Sequence, residues 1–265
     1  MRIHDGAYGT LLERHLRGDE TADDLCLREP AVVIAAHVAY LDAGATSLQT
    51  NAFLAWMRSS ERRRAQLQLA ALACAREAAA TVSSGEILVA ATIGPGSDEP
   101  RDYWRDLELL LDDGARGIQV ETITDRSIAD AFLAAWAEVA AGVRDVDVRL
   151  GCSVAPSVGA AAQRWVLELA ADAPEEVHVG LNCCEGPTGL RPLLSELCEL
   201  RERAWVMPSA GVPFDRAPGQ STTWPLARPQ DWRDATMELV ADLPVSLVGG
   251  CCGTTPETIA ALAEA

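Results

Sequence analysis

Apolar positions along the chain fall into two alternating rhythms. Short, β-rich apolar runs are followed by longer stretches rich in Ala, Leu, Glu and Arg, with apolar residues at helical spacing such as Leu107, Leu110 and Leu111. The runs predict strands at 2–5, 45–50, 86–92, 117–121, 147–154, 176–182, 204–208 and 244–249. The stretches predict helices at 30–43, 58–82, 101–113, 126–142, 159–172, 187–203, 229–241 and 256–264. Strict strand–helix alternation implies a parallel sheet, and eight units over residues 1–265 is the size of one (β/α)8 TIM barrel. A doubly wound open sheet is the rival, weakened by the lack of a GxGxxG after the first strand. No linker-like segment interrupts the pattern, so a single barrel domain is expected. The Pro- and Gly-rich stretch 211–228 reads as a loop over one barrel face.

Composition narrows the function. A formal charge of −17 argues against nucleic acid or an anionic membrane as partner. The sequence has no lysine, which excludes imine chemistry on a lysine amine and pyridoxal-phosphate chemistry. No apolar run is long enough to span a membrane. The opening MRIHDGAYGT lacks the apolar core of a signal peptide. The expectation is a cytoplasmic protein, in which the eight cysteines are thiols or metal ligands rather than a disulfide framework.

Barrel chemistry sits at the C-terminal ends of the strands. Here those ends carry Asp5-Gly6, Thr50-Asn51, Gly94-Pro95-Gly96, Glu121-Thr122, Cys152-Ser153, Asn182-Cys183-Cys184, Ser209 and Cys251-Cys252. Polar or thiol residues thus follow nearly every apolar run. Two adjacent-cysteine pairs, Cys183-Cys184 and Cys251-Cys252, close the sixth and eighth strands. Soft thiolates in a cluster select zinc. Regular strand geometry would point neighbouring cysteines apart, and the glycines around Cys251-Cys252 let the backbone bend so that both reach one ion. Core packing and a strained vicinal disulfide at Cys251-Cys252 are the alternatives. Cys26, Cys74 and Cys198 read as core residues, and Cys152 as core or pocket wall. Three thiolates around zinc leave one position open, the mark of catalysis. They make a poor activator of water and suit chemistry on a nucleophilic sulfur.

Seven segments, DGAYGT (5–10), TNAF (50–53), GPG (94–96), VETITD (120–125), GLNCC (180–184), PSAGVP (208–213) and GGCCGTTPETI (249–259), span nearly the whole chain. In this order they resemble the zinc-dependent homocysteine S-methyltransferases, and among them the homocysteine-binding module of cobalamin-dependent methionine synthase. The resemblance implies a (β/α)8 barrel with zinc on Cys183, Cys251 and Cys252, and Cys184 as a neighbour only. It places Asp5 and Glu121 around the substrate's amino-acid end, with Gly6, Asn51, Asn182 and Ser209 as further substrate contacts. Ser209 stands where the family usually has Asn. The segments after TNAF and between GPG and VETITD are shorter than usual.

The expected activity is transfer of a methyl group to a zinc-activated thiol, homocysteine, giving methionine. The donor is either a sulfonium, S-methylmethionine or S-adenosylmethionine, or methylcobalamin on a partner corrinoid protein. A non-catalytic thiol-binding subunit and an S-methyltransferase acting on another thiol are the competing expectations.

Overall fold

Successive residues of a strand point to opposite faces, and this chain uses that alternation to separate two environments. The computed structural model describes residues 1–82, 85–96, 98–213 and 223–265. Among them are the eight strands β1 (Arg2–Ile3), β2 (Ser47–Gln49), β3 (Leu88–Ile93), β4 (Gly117–Ile123), β5 (Asp147–Cys152), β6 (Val177–Cys183), β7 (Trp205–Pro208) and β8 (Leu247–Val248). They pair in parallel in the order β1-β8-β7-β6-β5-β4-β3-β2. A bridge between His4 and Ser47 joins the two ends of this sheet. Around it lie α1 (Pro30–Asp42), α2 (Glu61–Ala79), α3 (Pro100–Asp112), α4 (Arg126–Val139), α5 (Ala160–Asp172), α6 (Arg191–Leu200), α7 (Pro229–Val240) and α8 (Pro256–Ala263). This is the (β/α)8 barrel that the sequence pattern predicts.

The differences from that pattern are local. The strands expected at 2–5 and 244–249 shrink to two residues each. Pro244 lacks an N–H for a ladder bond, and beyond Val248 the chain leaves the sheet toward the cysteines. The helix expected over 187–203 begins only at Arg191, after Pro187 and a left-handed Gly189. Short helices at Tyr8–Leu12, Leu25–Arg28 and Ala55–Arg58 are additions that the periodicity did not reveal. The expected loop at 211–228 falls partly on residues 214–222, which lie outside the described residues. Its described end is tied down by Leu226, whose N–H donates to the Ala210 carbonyl at 2.9 Å.

Outward-facing strand residues, among them Ile118, Val120, Val148, Leu150, Val179, Leu181 and Val206, pack under the helices in one buried apolar cluster. Inside the barrel, Gln49, Gln119 and Arg149 are buried together with Trp205 and Met207. The Trp205 indole fits because position 180 is glycine: a Cβ there would lie 2.3 Å from the ring. Its Nε1 donates to the His178 carbonyl at 2.9 Å.

Candidate metal centre

The site is assembled from the ends of β6 and β8, with β7 between them. At the end of β6 two consecutive non-glycine residues are left-handed, Cys183 with φ 61° and Cys184 with φ 55°. Such conformations are disfavoured and cluster at functional sites. They turn the chain so that Cys183 and Cys184 leave in different directions. After β8, the Cys251 N–H donates to the Pro208 carbonyl at 3.0 Å, and the Ala210 N–H donates to the Cys252 carbonyl at 2.8 Å. The Thr254 hydroxyl closes the turn on the Cys251 carbonyl at 2.7 Å. A side chain at Gly250 would lie 2.4 Å from that hydroxyl, so this glycine is needed for close approach. Thr255 then caps α8, its N–H donating to Thr258 Oγ1 at 3.2 Å, with Pro256 at the first helical position.

The result is a cluster of Cys183, Cys251 and Cys252 with sulfurs within 4.8 Å of one another. Cys183 and Cys252 are 3.9 Å apart, sulfur to sulfur. All eight cysteines are free, so no vicinal disulfide forms at 251–252. The thiol of Cys184 points elsewhere, donating to the Asn182 carbonyl at 3.3 Å and accepting from the Val154 N–H at 3.5 Å. Cys26, Cys74, Cys152 and Cys198 are buried in the apolar clusters.

The three sulfurs compete for charge. Hydrogen bonds from Cys183 and Cys251 lower the Cys252 thiol below the usual range, while hydrogen bonds with Cys183 and Cys252, with burial, hold Cys251 well above it. Full ionisation of all three requires a cation among them, and a compact set of three soft donors fits zinc.

The sulfurs line a cavity of about 340 Å³. Tyr8, Asn51, Thr92 and two carboxylates, Glu121 and Asp23, share its wall. Among the described residues no arginine or histidine lines it. Burial raises the Glu121 carboxyl to about 7 despite a hydrogen bond from Gln119 Nε2 at 3.2 Å. Burial likewise raises Asp23 to about 7, although its Oδ2 accepts from the Ala55 N–H at 2.5 Å.

Thr50 and Thr122 also line the cavity, whereas Asp5, Gly6, Asn182 and Ser209 sit around this wall rather than on it. Asp5 is fully buried, where desolvation pushes its carboxyl well above the usual range. Its Oδ2 accepts from the Tyr8 hydroxyl at 2.5 Å and the Gln49 N–H at 2.9 Å, so Tyr8 stands between Asp5 and the cavity. His37 Nδ1 lies 2.6 Å from the same hydroxyl. The Gly6 carbonyl accepts from Gln49 Nε2 at 3.3 Å. Asn182 is buried behind Glu121, and Ser209 Oγ lies 3.2 Å from both the Cys184 and the Gly211 carbonyls. Asp23, like Tyr8 and Thr92, is a wall residue that sequence reasoning missed. Its only signal, an acidic pair before an apolar run, is shared by ordinary helix starts.

The family model of homocysteine S-methyltransferase matches residues 2–265. The chain belongs to this family. Two relatives are methionine synthases, of Mycobacterium leprae (31% identity over 302 residues) and Mycobacterium tuberculosis (31% over 297 residues). All of this chain is covered in both comparisons, and it spans 24% of each relative's length. Among solved structures, the homocysteine methyltransferase of Escherichia coli in its metallated form superposes with a TM-score of 0.73 at 22% identity, covering 100% of this chain and 96% of that one. Its oxidised form gives 0.71 at 24%, covering 99% and 94%. At these identities the structural likeness speaks for the shared barrel.

Proposed function

We propose that the chain is a zinc-dependent S-methyltransferase that methylates the sulfur of homocysteine to give methionine. The observation that carries this reading is the trio of cysteine sulfurs facing the same cavity as the buried Glu121 carboxylate. Zinc bound there supplies a positive centre at which an incoming thiol loses its proton near neutral pH. Cys183, Cys251 and Cys252 would hold the metal, and their three negative charges would keep the acceptor sulfur electron-rich. Glu121 receives the acceptor's ammonium, and an arriving cation favours the ionised carboxylate that burial alone disfavours. Asp5 braces the wall from behind by fixing Tyr8 and the Gln49 backbone. The enclosure orients the sulfur toward the donor's methyl group, which is worth more than polarisation in a displacement of this kind.

Two donor classes have support. The cavity's acidic lining favours a cationic sulfonium, S-methylmethionine or S-adenosylmethionine. The likeness to methionine synthases favours methylcobalamin on a separate corrinoid protein. The test is to measure bound zinc, then incubate the loaded protein with homocysteine and each donor in turn and look for methionine. About one zinc per chain and methionine from one donor class are expected. A zinc-loaded protein that binds homocysteine yet methylates it with none of them would instead be a thiol-binding subunit.

A further inference from the structure

Strand β4 carries a bulge at the cavity wall. Its register against β5 shifts between Val120 and Ile123, so Glu121 and Thr122 leave the ladder. Bulges occur beside active sites; Glu121 keeps the inner face that it shares with Gln119, and the bulge takes up the extra residue directly after it. Thr122 takes φ 57°, a left-handed conformation disfavoured for a β-branched residue. Its N–H, lost to the ladder, is received by Asn182 Oδ1 at 2.9 Å. The other end of the same amide, Nδ2, lies 3.3 Å from Thr122 Oγ1 and 3.5 Å from Glu121 Oε2. Asn182 is fully buried and does not line the cavity. Gly151 on the neighbouring strand leaves it room, since a Cβ there would lie 2.5 Å from Asn182 Oδ1.

The residue after Asn182 is Cys183. One side chain therefore touches Glu121 and holds the residue after it, while its own backbone leads straight into the sulfur cluster. We infer that Asn182 is a positioning residue that fixes the separation between the sulfurs and Glu121, and so selects the length of aminothiol the site accepts. This rests on the proposed function, in which sulfurs and carboxylate meet the two ends of one acceptor. An acceptor with too few bonds between sulfur and nitrogen engages one end only. Gln119 also touches Glu121, but it holds only the carboxylate tip. The amide of Asn182 holds the bulge itself. A contact between Asn182 and the substrate is the rival role, and its committed, buried amide speaks against it.

The test compares zinc-loaded wild type with Asn182→Asp, which keeps an acceptor for the Thr122 N–H but loses the amide N–H and places a second charge beside Glu121. Calorimetry measures binding of homocysteine, of cysteine and of an alkyl thiol without an amine, and elemental analysis measures zinc. In Asn182→Asp, homocysteine binding is expected to weaken by about ten- to a hundredfold, the scale of a lost hydrogen bond to a charged group. Alkyl-thiol binding and zinc content stay unchanged, and the preference for homocysteine over cysteine falls toward one. A variant that retains zinc and the wild-type preference overturns the inference. Equal losses for all three thiols also overturn it, because that is what a purely structural role gives. If Asn182→Asp fails to fold, Asn182→Ser is read by the same criteria. A wild type that binds the alkyl thiol as tightly as homocysteine counts against the proposed function instead, since Glu121 would then recognise nothing.

Discussion

The two sides of the barrel strands are made of different material. Outward from β4, β5 and β6 stand Ile118, Val120, Val148, Leu150, Val179 and Leu181, all fully buried against the helices. Inward from the same strands stand Gln119, Glu121, Arg149, His178 and Asn182. Each outward side chain contributes roughly 1.5–3 kcal/mol on burial. The inward groups are costly unless bonded, and Gln119, Glu121, Arg149 and Asn182 are bonded to one another. Arg149 Nε donates to Asp147 at 2.7 Å and its Nη1 to Gln119 Oε1 at 3.4 Å. Gln119 Nε2 in turn reaches Gln49 at 3.1 Å and Glu121 at 3.2 Å. This ladder of polar contacts climbs from the floor of the barrel to the cavity. Cohesion is supplied outside the sheet, which frees the inside to hold groups chosen for chemistry.

That division can be broken from either side. The largest effect is expected inside. Cys251→Ser and Cys252→Ser should each lose most of the bound metal, measured by elemental analysis, while Cys184→Ser keeps it; full metal in both of the first two would remove the site. From the outside, Leu150→Ala should cost about 2–5 kcal/mol of stability by cavity formation and leave the metal stoichiometry unchanged. Denaturant melts with parallel metal analysis check this, and loss of metal in the folded variant would show that the two sides are not separable. The smallest effect concerns pH. Asp23 binds its proton more tightly when folded, about 7 against the usual 3.8. The native state therefore holds more protons between those values, and stability falls as pH rises through that window, by roughly 4 kcal/mol at most. Asp23→Asn should flatten this part of the profile, and thermal melts across the window would show the same slope in both proteins if the carboxyl is inert.

The barrel was legible because strand–helix alternation repeats along the chain, and the cysteine pairs were legible because they fall where strands end. Position in sequence does not report direction, however. Asp5 lies just past β1 as Glu121 nears the end of β4, yet Asp5 lies behind Tyr8, a contact made by a short helix that no periodicity announced. The left-handed turns at Thr122, Cys183 and Cys184 were hidden for a related reason. Glycine is the usual marker of that conformation, and here threonine and cysteine adopt it, held by contacts from other strands. Asp23 escaped notice because its role depends on Ala55, thirty-two residues away in the chain. The expectation that glycines bend the chain at Cys251-Cys252 also needs refining: Gly250 makes room for Thr254, whereas only Gly253, with φ 80°, takes the left-handed conformation in that turn.

Gly253 has one further consequence. It follows Cys252 directly, and a Cβ on it would lie 2.3 Å from the indole of Trp224. An indole ring thus rests on the backbone of the turn that presents the sulfurs. Indole emission responds to polarity and to electron-rich neighbours, and thiolate sulfur is among the strongest of these. Loading the cluster with zinc is therefore expected to change the indole emission, and a fluorescence titration that stays flat at full zinc occupancy would show that the ring does not sense the sulfurs.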